Sequence, residues 1–180
     1  MDRLVKTALI VGLLLIVNGW PFPVQAQSSV SREYQLKAAF IYNFCQFVNW
    51  PEASFQNTNN TLVIAVVGEN PFGNVLTELV KNQQIGGRKV VVKRASDLAS
   101  AAESHIIFVP SNYRFGMDEW KTKGSSNALI IGESDSFLDK GGMIRFYTAD
   151  NKLKFQVHLD KVQEQDFKIS SKLLKMATLY

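Results

Sequence analysis

Leu62-Val63-Ile64-Ala65-Val66-Val67 is six apolar residues without a break, followed at once by Gly68-Glu69-Asn70-Pro71-Phe72-Gly73. A run this short cannot make a buried helix, and a strand that is continuously apolar rather than alternating is buried on both faces. Runs of the same kind recur at 90–92 (VVV), 106–109 (IIFV) and 128–131 (ALII), roughly twenty residues apart. Parallel pairing needs long crossovers, and helix-like patterns fill two of the three intervals. The reading is an α/β three-layer sandwich, a mostly parallel sheet flanked by helices. The helix candidates are Asn74 to Asn82, Ser96 to Ala102 with Ser96 as N-cap, and a less regular segment from Met117 to Lys123.

Upstream, Phe55 to Thr61 (FQNTNNT) reads as an exposed loop delivering the chain into that first strand. Before it, Ser31 to Val48 carries Leu36, Phe40, Phe44 and Phe47 at a period near 3.6, with Ile41 and Val48 widening the arc. This predicts an amphipathic helix, stopped at Pro51 because the residue before proline, Trp50, is pushed out of helical dihedrals. On that helix Lys37, Tyr42 and Asn43 are candidates for buried polar bonds. At the start, Arg3 and Lys6 precede an uncharged apolar run, Thr7 to Val17, which Asn18, Gly19, Pro21 and Pro23 interrupt. It is shorter than the ~20 apolar residues a bilayer crossing needs. With Val24-Gln25-Ala26 as the small-residue cleavage pattern, residues 1–26 are expected to be a signal peptide. Residues 27–180 are then the size of one compact domain.

Downstream the pattern changes. Met143 to Thr148, a turn at Asp150-Asn151, and Leu153 to Leu159 predict a C-terminal β-hairpin. Leu153, Phe155, Val157 and Leu159 face one way, while Lys152, Lys154, Gln156 and His158 face the other and should be wet. A hairpin added late to a parallel sheet lies at its edge, which makes those last four residues candidates for partner binding. Ser170 or Ser171 caps a last helix carrying Leu173, Leu174 and Ala177.

Several chemistries are excluded. The glycine-framed turn at 68–73 imitates a phosphate-binding loop, but Asn74-Val75 stands where Lys and Ser or Thr are needed, and Pro71 removes one N–H from the cradle. There is no G-x-S-x-G and no H-E-x-x-H. The two histidines, His105 and His158, read as partly exposed strand residues and are too few for a zinc site. No catalytic residue, metal or cofactor is expected. Cys45 is the sole cysteine, so no disulfide can form within the chain, and its place in an apolar helix predicts a buried, inert thiol. The formal charge is +4, and the only basic cluster, Arg88, Lys89, Lys93 and Arg94, flanks an apolar strand core. These read as solvated strand ends, and nucleic acid is not an expected partner. What a parallel sheet does offer is a crevice at the C-terminal ends of its strands. Asn70, Phe72, Ser111, Asn112, Arg114, Glu133 and Ser134 fall there as ligand-binding candidates, with Arg114 suited to an anion.

Two segments together resemble the YfiR family. One is Glu33-Tyr34-Gln35-Leu36-Lys37-Ala38-Ala39-Phe40-Ile41-Tyr42-Asn43-Phe44 closing with Val48-Asn49-Trp50-Pro51. The other runs from Gly141-Gly142-Met143-Ile144 to Met176 and includes Asn151-Lys152-Leu153 and Ile169-Ser170-Ser171-Lys172-Leu173-Leu174. The resemblance implies a bacterial periplasmic repressor, not an enzyme, acting in cyclic-di-GMP signalling and biofilm control. Its implied partners are the periplasmic sensor domain of an inner-membrane diguanylate cyclase and an outer-membrane lipoprotein that sequesters it; a homodimer is left open as a further assembly. Members carry disulfide pairs that Cys45 alone cannot reproduce. The competing expectation is a periplasmic small-molecule binding or sensor protein using the crevice residues.

Overall fold

The structure, a computed structural model, describes residues 29–114 and 127–180; the expected leader and the Met117 to Lys123 helix lie outside them. In chain order the elements are helix α1 (Ser29–Phe47), β1 (Val48–Asn49), a 3-10 helix (Glu52–Thr58), β2 (Leu62–Val67), α2 (Val75–Val80), β3 (Gln84–Ile85), β4 (Arg88–Ala95), β5 (Ile106–Val109), β6 (Leu129–Gly132), β7 (Ile144–Ala149), β8 (Lys152–Val157), α3 (Leu159–Gln163), β9 (Lys168–Ile169), α4 (Ser171–Met176) and β10 (Thr178–Leu179). An eight-stranded sheet runs in the order β10-β8-β7-β6-β5-β2-β4-β3, and β1 pairs separately with β9.

The four apolar runs are the parallel centre: β2 lies between β4 and β5, and β6 continues from β5 into β7. Every residue of β2, β5 and β6 is buried, which is why these segments could dispense with alternation. β7 and β8 form the expected antiparallel hairpin, with Phe146 opposite Phe155. Asp150 and Asn151 both take positive φ, 53° and 58°, as a two-residue turn of the primed type requires. The hairpin is not the outermost element: β10 pairs in parallel with Gln156 and Val157 of β8. The chain's last strand supplies the backbone partners that this half of β8 would otherwise lack.

α1 packs its aromatic face on the hairpin. Phe44 stacks near Phe146 at 5.9 Å between ring centroids and meets Phe155 edge-on at 5.1 Å. The buried stripe is Lys37, Ala38, Ile41, Phe44 and Cys45, continued by Val48 in β1 and rotated from the arc drawn through Leu36, which is 49% exposed. Tyr42 donates to Gln83 Oε1 at the surface and Asn43 is exposed, so of the three expected buried polar bonds only that of Lys37 forms.

Two local readings are corrected. Ser96 to Ala102 is a series of turns, not a helix: the Asp97 carboxylate accepts from the Ser100 N–H (2.8 Å), and the backbone bonds Ala101 to Leu98 and Ala102 to Ala99 span three residues. Ser and Asp side chains compete for the backbone groups a helix would use. The segment at 55–61 is not all loop, because Phe55 in the 3-10 helix is buried against the His105 ring, 4.3 Å away and stacked. Asn59 and Asn60 then leave the helix with positive φ. Between β6 and β7 the Phe137 ring lies between two glycines; a Cβ on Gly132 or Gly142 would meet it at well under 3.0 Å.

Candidate functional site

Three loops leave the C-terminal ends of β2, β5 and β6 side by side, and the first third of α1 crosses above them. Their centre is Glu133, the first residue after β6. Its Oε1 accepts from the Tyr34 hydroxyl (2.9 Å) and the Ser111 backbone N–H (2.9 Å), and its Oε2 from Lys37 Nζ (2.5 Å). Lys37 also pairs with Glu33 one turn earlier (2.5 Å), and its ammonium lies 4.5 Å from the Tyr34 ring centroid. The Lys37 and Glu133 side chains are only 5% and 6% exposed, so this is a buried ion pair. Burial first, and then the Glu133 charge, hold the Tyr34 hydroxyl well above its ordinary pKa, keeping it a donor at every physiological pH.

Beside this pair opens a cleft of about 360 Å³, whose lining includes Tyr34, Lys37, Ser111, Glu133, Asp135 and Arg145. Arg145 closes its far wall by donating from Nη1 to the Asp135 carbonyl (2.7 Å) and carboxylate (3.2 Å). The cleft thus presents donors and acceptors of both signs. An ion-paired lysine and a carboxylate already holding three donors are suited to orienting groups, not to proton transfer.

The crevice candidates divide into several settings. Glu133 and Ser111 meet directly, and Ser134 follows in the same loop. Asn70 closes its own turn: its Oδ1 accepts from the Phe72 N–H (3.0 Å) and its Nδ2 donates to the Gly73 carbonyl (2.9 Å). Phe72 is buried, edge-on to Tyr34 at 5.4 Å and to Phe108 at 4.8 Å. Asn112 donates to Glu69 (3.0 Å), while Arg114 is exposed beyond it. Tyr34 and Lys37 were missed as members of this group. Their signal was available: a lysine inside the helix's buried stripe demands a carboxylate partner, but nothing local says which.

On the hairpin, Lys152 is exposed and Lys154 Nζ donates to Asp150 Oδ2 (2.9 Å), the bond that leads the upward shift of its pKa. Gln156 is half-buried opposite Arg145 and beside Thr178. His158 is half-buried with its ring 5.2 Å from that of Tyr180. The other histidine departs further from the expected exposed strand position. His105 is 2% exposed; its Nδ1 accepts from the Val63 N–H (3.1 Å), and Trp50 meets the ring edge-on at 5.6 Å. Burial pushes its pKa down to about 4, with the nearby Arg88 charge adding to the fall. Arg88 is not simply solvated: it pairs with Glu52, donates to Asn60 and lies over the Phe55 ring.

Among the described residues no group of three or more His, Cys, Asp and Glu side chains could hold a metal ion, and no helix is long and apolar enough to cross a membrane. A protein-family model described as YfiR/HmsC-like matches residues 34–178, from Tyr34 in α1 to Thr178 in β10. No curated protein matches the chain.

Proposed function

The chain belongs to the YfiR/HmsC-like family, and from that membership we propose that it is a periplasmic regulatory protein, not an enzyme, that restrains an inner-membrane diguanylate cyclase by contact with its periplasmic domain. Residues 1–26 direct export and are removed, and 27–180 form the acting domain. An outer-membrane lipoprotein competes for it and relieves the restraint. The observation that carries this reading is the extent of the family match, which takes in most of α1, the sheet as far as Thr178 and the hairpin. The outward side of the hairpin, with Lys152 and Lys154 as its charges and Gln156 and His158 beside them, is the partner surface.

Deleting the gene should raise cellular cyclic-di-GMP and biofilm mass, and restoring the wild-type gene should reverse both. Unchanged cyclic-di-GMP in a strain shown to express an inner-membrane diguanylate cyclase encoded beside this gene overturns the regulatory reading. Recovery of the protein only in the cytosol with Met1 still present overturns the localisation. Lys152→Glu with Lys154→Glu should slow association with an acidic partner and reduce its salt dependence, since charges at an interface rim act first on the association rate. Unchanged kinetics in the folded double variant moves the interface elsewhere.

The cleft beside Glu133 favours a second reading, a small-molecule sensor, in which Ser111 and Glu133, with Tyr34, Lys37 and Arg145 of the same lining, hold the ligand, while Asn70, Phe72, Asn112, Arg114 and Ser134 lie in the loops around it. A metabolite screen by thermal shift tests it, because a ligand at 100 times its dissociation constant adds about 2.7 kcal/mol.

A further inference from the structure

At the end of the sheet opposite the hairpin, β4 is eight residues long but β3 covers only its start, pairing at Arg88 and Lys89. Two hydrogen bonds fix which way the backbone of β4 points. The Val90 N–H donates outward to the Gln83 carbonyl, and the Ala95 carbonyl accepts inward, from Gly68 at the end of β2. In a parallel strand the N–H and C=O of one residue point to the same side, and the side alternates. Val91, Lys93 and Ala95 therefore face β2, whereas the N–H and C=O of Val92 and Arg94 face away from it, and no described strand pairs with them.

The side chains around this edge are not those of a buried one. Val91 is 39% exposed. Val92 and Arg94 line a cleft of about 490 Å³ whose opposite wall is Asn74 and Thr77 at the start of α2. Lys89 and Arg94 are exposed, and Lys93 reaches the Ser100 carbonyl (3.2 Å). The one carboxylate lining the cleft, Glu69, already accepts from Asn112. Lys93 and Arg94 on the open stretch, with Lys89 at its margin, disfavour a second copy of the same strand, because like charges placed opposite one another in a ladder repel. They favour a strand of opposite charge.

We propose that the open edge of β4 captures an extended, acidic segment of a partner protein by strand addition, with the backbone groups of Val92 and Arg94 as its hydrogen-bonding edge. The backbone ladder holds the segment, the cleft above α2 takes its alternate side chains, and Lys89, Lys93 and Arg94 select its carboxylates. This surface is separate from the hairpin and does not depend on the regulatory reading.

The test is amide hydrogen exchange by NMR on the purified protein, with an end-capped peptide alternating Val and Glu over about eight residues as probe. In the free protein the Val92 and Arg94 amides should exchange fast while those of Val91 and Lys93 are protected. Peptide should slow Val92 and Arg94 by about tenfold or more, and a matched Val-Lys peptide should not. Val92→Pro deletes an outward N–H without removing a backbone bond to β2 and should abolish the peptide effect while the fold persists. If that variant does not fold, Lys89→Glu with Arg94→Glu carries the test by switching preference to the Val-Lys peptide. The proposal is overturned by no slowing at millimolar peptide, by equal slowing with either peptide, or by protection of Val92 and Arg94 that grows with protein concentration alone, which would mean a second copy.

Discussion

Replacing Lys37 with Met removes the cation from Glu133 and leaves a carboxylate that is 6% exposed facing the Tyr34 hydroxyl and the Ser111 N–H. Breaking a buried ion pair from one side costs about 3–5 kcal/mol, because the remaining charge keeps its desolvation penalty without its partner. Two donors stay in place here, which sets the expectation at the lower end, about 3 kcal/mol. In a chain of this size that lowers Tm by about 6–12 °C. Urea unfolding followed by circular dichroism at pH 7, with thermal scans beside it, measures both. Lys37→Met with Glu133→Leu removes the stranded charge and should recover more than half of the loss, giving a large coupling energy in the double-mutant cycle. Glu33→Gln should cost little, since Glu33 is 44% exposed. A loss below about 1 kcal/mol for Lys37→Met, or a double variant as unstable as the sum of the singles, would refute the reasoning.

His105 gives the pH dependence its sign. Unfolded, it takes up a proton near pH 6.5; folded, not until about pH 4. The native state therefore loses stability as pH falls through that interval, by about 1.4 kcal/mol per unit, and nothing is lost above it. Urea midpoints at pH 7.5 and 4.5 should converge in His105→Gln relative to wild type, and parallel profiles would count against the assignment. Gly132→Ala drives a Cβ into the Phe137 ring and should cost about 1–3 kcal/mol, which Phe137→Leu in the same chain should partly restore; an unchanged unfolding midpoint in the single variant refutes the packing. Cys45 is fully buried and burial raises its thiol pKa well above the usual range. An aromatic disulfide reagent should leave it untouched in the native protein and label it in urea; fast labelling without denaturant would show that the helix opens.

The sheet was legible because β2, β5 and β6 are buried on both faces, so composition alone marked them. The hairpin was legible because Leu153, Phe155 and Val157 alternate with polar residues, and Asp150-Asn151 suits a turn with two positive φ values. β1, β9 and β10 were not, since a two-residue strand has no period to detect and exists only through its tertiary partner. The turn at Ser96 looked helical because Leu98 and Ala101 are spaced like a helix face, while Asp97 and Ser100 spend their polar atoms on local bonds. At the crevice, the loop positions of Ser111, Glu133 and Ser134 followed from the sheet. The Lys37 to Glu133 bond did not, because it joins residues 96 apart and only the fold brings them together.

That separation also sets a schedule. α1 emerges ahead of its partners: Phe40 and Phe44 wait for Phe146 and Phe155, Lys37 for Glu133, and Val48 for Ile169. At about 5–20 residues per second the face that packs on the hairpin stays uncovered for several seconds. Until the hairpin follows, the apolar stripe of α1 is a surface for a chaperone to cover.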